Sequence, residues 1–262
     1  MNNEMECWAV KRRQLIKKSL CVPLFSFLPV ISAWAQEGNG RTLWLPPKLA
    51  SLGYDMSGHW ATDVTGSGYL DWKYDEASSV YSMQLSVSAL LMTLRYSSMG
   101  FIDKSEGMLP TRFREKRTKR DERIVHIDQV QNKVSYGWKE GVDEKPQGIQ
   151  DVTSIMLQFG FLLSTSPEKA RVGQVFNFPV ARMGSIKHWD FRIEGDEITK
   201  TRVGSYKTWH IKRLKEEDGK DSDLQVEFWL APELRYMPQK IHFNMKNDSY
   251  LHVSLNKVKA LE

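Results

Sequence analysis

The chain has 262 residues, 41% of them hydrophobic and 26% charged, with 37 Lys+Arg against 32 Asp+Glu and a formal net charge of +5. Five of the basic and two of the acidic residues fall within the first 35, so the remainder carries only about +2, without the global field expected of a nucleic-acid binder. Both cysteines, Cys7 and Cys21, lie in the same first segment, which leaves the rest with no disulfide, no thiol nucleophile and no thiolate metal site.

Residues 1–35 have the layout of an export signal. Lys11, Arg12, Arg13, Lys17 and Lys18 form a basic region, and an apolar run from Leu20 to Ile31 follows. Ala33-Trp34-Ala35 is a small-x-small cleavage sequence, which places the cut between Ala35 and Gln36. The apolar run is short for a spanning helix and is broken by Pro23 and Pro29. Lys11 to Lys17 also resembles a twin-arginine signal, and ordinary export of an unfolded chain fits equally well. Leu20 stands before Cys21 where a lipoprotein signal needs a small residue, so no lipid anchor is expected. The expected product is a periplasmic chain of one domain with no transmembrane segment.

Residues 36–51 read as a lead-in. Pro46 and Pro47 argue against a central strand, and Trp44 and Leu45 are expected to pack on the body or to contact a membrane or partner. Residues 52–262 then read as a single β-rich domain. Gly53 to Trp60 and Gly68 to Tyr74 are expected strands, separated by a turn at Thr65-Gly66-Ser67-Gly68. Val80 to Ala89 alternates strictly, with Tyr81, Met83, Leu85, Val87 and Ala89 on one face. Leu91 to Ile102 follows as a strand, Lys104 to Gly107 as a turn closed by Met108-Leu109-Pro110, and Arg123 to Asp128 with Lys133 to Trp138 as a hairpin. Lys139 to Gly148 is a polar loop.

Gln150 to Leu163 is the one long helical pattern, with Val152, Ile155, Met156, Phe159, Leu162 and Leu163 on one face and Asp151 placed to accept backbone N–H bonds at its start. Seven more strands are expected: Gln174 to Val180, Ile186 to Ile193, Glu197 to Val203, Tyr206 to Leu214, Leu224 to Ala231, Pro238 to Lys246 and Tyr250 to Val258. Gly195-Asp196, Val203-Gly204, Asp218-Gly219 and Asn247-Asp248 supply turn chemistry between them. The expected fold is mainly β, an antiparallel barrel-like curved sheet with one principal α-helix packed against or plugging it.

The order of short motifs resembles an exported bacterial family, domain of unknown function 3108. The matching stretches include Leu52 to Gly58, Leu70-Asp71-Trp72, Leu85 to Ala89, Ser97 to Gly100, Gly107 to Phe113, Gln150-Asp151-Val152, Gly204-Ser205-Tyr206, Trp229 to Pro232 and Tyr236-Met237-Pro238. The resemblance implies a periplasmic, antiparallel, barrel-like domain and supplies no catalytic residues.

No Gly-x-Ser-x-Gly elbow, phosphate loop or His-Glu-x-x-His is present, and no cofactor or metal is expected. His242 and His252 are the best histidine pair, expected as diagonal neighbours across a hairpin and too few for a metal site. His188 and Asp190 share a strand face without a nucleophile nearby, and Glu194, Asp196 and Glu197 read as turn formers. The basic run Arg112, Arg114, Lys116, Arg117, Lys119, Arg120 and Arg123 is the candidate anionic-ligand surface. Its alternative role is a charged edge strand that resists sheet-to-sheet pairing. The interior is a weaker candidate, because the helix is expected to fill it. These features favour a non-enzymatic binder of an anionic lipid, lipopolysaccharide, a glycan or an envelope protein. The competing readings are a hydrolase with two facing carboxylates and a structural partner in an envelope assembly.

Overall fold

The structure, a computed structural model, describes residues 44, 46–60, 62–90, 92–215, 224–245 and 247–262. The expected signal, its Ala35/Gln36 cleavage site, Leu45 and the Asp218-Gly219 turn lie outside the described residues.

In chain order the strands are β1 Leu49–Trp60, β2 Thr62–Asp75, β3 Val80–Ala89, β4 Met92–Asp103, β5 Gly107–Arg117, β6 Arg123–Asp128, β7 Lys133–Tyr136, β8 Val142–Glu144 and β9 Gln150–Asp151. Helix α1, Ser154–Thr165, follows, and then β10 Val175–Arg182, β11 Ser185–Thr201, β12 Gly204–Arg213, β13 Gln225–Ala231, β14 Met237–Asn244 and β15 Tyr250–Leu261. All belong to one curved sheet in the order β8-β7-β6-β5-β4-β3-β2-β1-β15-β14-β13-β12-β11-β10-β9. Every pairing is antiparallel except β9 with β10. Among the described residues the sheet is not closed by hydrogen bonds, because β8 and β9 stand at its two ends.

Several strands form where alternation demands them. The apolar face of β3 is buried while Ser82, Gln84 and Ser88 are half-buried on the other side, although Ser86 is buried too. The glycine-rich Thr65 to Gly68 is not a turn: it lies inside β2, with Gly66 opposite Met56 and Gly68 opposite Tyr54. Gly195-Asp196 is likewise not a turn but part of the 17-residue β11, where a register irregularity between Ile193 and Gly195 takes up the glycine. β1 begins at Leu49, so the domain starts within the expected lead-in. Trp44 is buried against Phe161 at 6.1 Å, and Pro47 O accepts a 2.6 Å bond from Trp72 Nε1, so this part of the lead-in packs on the body.

The helix starts four residues later than its sequence pattern suggests, since Gln150 and Asp151 form β9. It is also buried on more than one side: Leu157, Gln158 and Phe161 are covered as well as Ile155, Met156, Phe159 and Leu163. A helix covered in this way sits inside a core rather than on its surface. Phe159 meets four rings, Phe176, Phe178, Phe191 and Phe228, each edge-on at 5.6–5.7 Å. Across the gap, Gln158 accepts from Met108 N at 2.7 Å and donates to Glu106 O at 2.9 Å, while Gln150 Nε2 donates to Met108 O at 2.9 Å. These side chains stitch α1 and β9 to β5, where no strand ladder runs.

Candidate functional site

The helix fills one end of the curled sheet and leaves the other open. There, strands from both halves line a cavity of about 560 Å³. Met56 on β1, Val87 on β3, Leu94 and Tyr96 on β4, Phe243 on β14 and Leu251 on β15 form its apolar wall. Exposed Met92, Thr118, Arg120 and Asn247 stand at its mouth. Its volume falls in the range of about 300–1,000 Å³ typical of small-molecule sites. Among the described residues its lining carries no carboxylate and no imidazole.

The basic run does not form one surface. β5 is a strand, so its side chains alternate. Arg112, Arg114 and Lys116 lie opposite Met99, Ser97 and Arg95 on the outer face, whereas Phe113, Glu115 and Arg117 lie opposite Ser98, Tyr96 and Leu94 on the inner one. Arg123 pairs in register with Glu115 and places its guanidinium 5.5 Å from the Trp138 ring centre. Lys119 and Arg120 occupy the turn after β5, Lys119 with φ +58° and Arg120 N bonded to Arg117 O at 3.1 Å.

Arg117 is joined at the cavity by two residues the sequence did not single out. Arg182, on the inner face of β10, lines the same cavity and lies 5.4 Å from the Trp189 ring centre. Tyr96 is buried, and burial first, then the Glu115 charge, pushes its phenol up to about 12. Arg117 Nε lies 2.5 Å from Glu115 Oε1, close enough for an ion pair but not aligned as a hydrogen bond. The split of β5 was readable from period-two alternation, but nothing in the local sequence tied Arg182 to Arg117.

The outer face carries a second, shallower feature. Arg112 and Arg114 border an open groove of about 590 Å³ with Asp71, Lys73, Gln84 and Ser97. Arg114 faces Glu122 at 3.9 Å, and Arg112 Nη2 contacts Met99 Sδ at 2.6 Å.

The histidine pair is closer than the expected diagonal placement. Asn244 faces Tyr250, so His242 stands directly opposite His252 rather than diagonally, and the two rings stack at 3.7 Å. They belong to a row of rings across the outer face. His210 stacks on Trp229 at 4.2 Å, Trp229 meets His242 at 4.6 Å, and His252 meets Tyr250 at 4.6 Å. Glu227 accepts from His210 Nε2 at 3.2 Å and faces Lys212 Nζ at 3.1 Å. Among the described residues no group of three or more His, Cys, Asp or Glu is placed to hold a metal. His188 and Asp190 do not touch: Asn177 bridges them, 2.9 Å from His188 Nδ1 and donating to Asp190 Oδ1 at 2.8 Å. Glu194 pairs with Arg192, Asp196 with Lys207, and Glu197 accepts from Trp229 Nε1.

An open, mostly antiparallel, barrel-like sheet with an internal helix at one end and an apolar cavity at the other defines the class of protein. The chain belongs to the family described as protein of unknown function (DUF3108), whose model matches residues 54–254. A solved structure of similar fold is the beta-barrel-like protein of domain of unknown function DUF1849 from Brucella abortus, at TM-score 0.55 and 11% identity, covering 82% of this chain and 98% of that one. No protein of curated function matches the chain in sequence. Among the described residues no helix is long and apolar enough to cross a membrane.

Proposed function

We propose that this protein is an exported, periplasmic, non-enzymatic binding protein of the cell envelope, and that its ligand enters the open end of the barrel-like sheet apolar part first. The observation that carries this reading is the cavity of about 560 Å³ with an apolar wall drawn from both halves of the sheet. The leader of residues 1–35 supports the location. The absence of carboxylates and imidazoles from the described lining favours binding over hydrolysis.

The test is binding of the uncharged fluorescent probe N-phenyl-1-naphthylamine to the purified mature chain. Saturable binding is expected, and Leu94→Trp, which narrows the cavity, should weaken it about tenfold. No saturable binding, or full binding by a folded Leu94→Trp variant, would refute the reading. Native mass spectrometry of protein taken from its own periplasm should then show a retained lipid-sized adduct.

One observation favours a second reading, in which an acidic glycan lies in the outer groove beside Arg112 and Arg114. Replacing both arginines by serine would abolish glycan binding on that reading and leave probe binding untouched.

A further inference from the structure

The large cavity adjoins a smaller cleft of about 110 Å³, and the two share Arg117, Arg120 and Arg182. The cleft is completed by Glu115, Asp121, Arg123 and Met183, so among the described residues four guanidinium groups stand against two carboxylates. One space is walled by apolar side chains, the described lining of the other is rich in arginine, and Arg117, Arg120 and Arg182 form the boundary between them.

We infer that the ligand is an anionic amphiphile, its apolar chain lying in the cavity and its phosphate or carboxylate head held by Arg117, Arg120 and Arg182. This rests on the reading of the cavity as a binding site and adds the chemistry of the head. Arginine suits that role because its planar fork gives two parallel hydrogen bonds to an oxyanion. Two of the three are held before a ligand arrives. Arg117 is anchored by Glu115 at 2.5 Å, and Arg182 lies over Trp189 at 5.4 Å. Arg120 is exposed at the mouth, where it can draw an anion inward. Arg117 ends β5 and Arg182 ends β10, so a head bound to both also bridges the side of the barrel that no strand ladder closes.

The experiment displaces N-phenyl-1-naphthylamine from the mature chain with palmitate, palmitoyl lysophosphatidic acid and the uncharged 1-monopalmitoylglycerol. Both anions are expected to displace it at concentrations about tenfold or more below the uncharged lipid, with a gap that narrows as salt is added. A preference between the two anions assigns the head as carboxylate or phosphate, and either preference supports the inference. Arg182→Gln should narrow the gap, and Arg120→Glu, at an exposed turn, does so without touching the core. Equal displacement by charged and uncharged lipids, or an unchanged gap in folded Arg120→Glu, overturns the anionic head while leaving the cavity reading intact. Failure of the probe itself to bind overturns both.

Discussion

Asp151 carries more of the local order than any other single side chain around the helix. It is fully buried, and its Oδ1 accepts from Thr153 N, Thr153 Oγ1 and Ser154 N at 2.7–2.8 Å. Its Oδ2 accepts from Ser98 Oγ at 2.5 Å, and Ser98 Oγ lies 2.9 Å from the Tyr81 hydroxyl. Burial pushes the Asp151 carboxyl above the usual range despite these bonds. A raised carboxyl pKa means that ionisation costs stability, and the cost grows as pH rises through the folded-state value. Asp151→Ala should therefore destabilise the fold by about 2–4 kcal/mol through the donors it orphans, while Asp151→Asn, which keeps an acceptor and loses the charge, should cost much less. Urea unfolding at neutral pH measures both. The sequence made the helix-start role of Asp151 legible, but the partnership with Ser98 was not, since it depends on β4 passing across the helix start.

The ring row predicts acid sensitivity. Burial, then the neighbouring His252 charge, lowers His242 to about 4, with Lys240 and His210 acting in the same direction and Glu227 opposing. A depressed histidine contributes stability that is full above about pH 6.5 and is lost as pH falls toward 4. The hydrogen bond from His210, helped by Lys212, lowers Glu227 to about 2, so its contribution is full above about pH 4.5 and is lost as pH falls toward 2. Melting temperature should thus drop in two stages from pH 6.5 downward. His242→Gln should flatten the upper stage, by on the order of 1 kcal/mol given the partial exposure of the site.

At the scale of elements, strands with one buried face were read most accurately. β3 and β6 match their expected bounds because the apolar residues of the buried face recur at every second position, Tyr81 to Ala89 in the one and Val125 and Ile127 in the other. The glycines misled. Gly66 and Gly195 look like turn residues, yet β1 and β12 supply partners on both sides of them, and tertiary pairing overrides local preference. The helix was visible as a pattern, but its all-round burial was not, because Leu157 and Phe161 fall outside a single stripe. Phe159→Ala should cost about 3–5 kcal/mol, since four surrounding rings cannot all collapse into the space. Gly107 opens β5 with φ +86°, and an added Cβ would meet Gln158 Oε1 and the Phe161 ring. Gly107→Ala should therefore loosen α1 specifically, seen as faster amide exchange in Ser154–Thr165.

For the whole molecule, the decisive pairing is β1 with β15 and β15 with β14. Without β15 the sheet falls into two pieces, β1 to β8 and β9 to β14. The cavity draws its wall from both pieces, which is why no local pattern announced it. Removing residues 250–262 should abolish the single cooperative unfolding transition and probe binding together, as read by circular dichroism and fluorescence.

β15 follows every other described strand in the chain, yet it is the one that joins the two halves. A nascent chain therefore cannot complete this architecture until Tyr250–Leu261 has left the ribosome. Before the joining strand arrives, one flank of β1 is bare, a template for unwanted pairing. A chaperone laid along β1 answers that hazard.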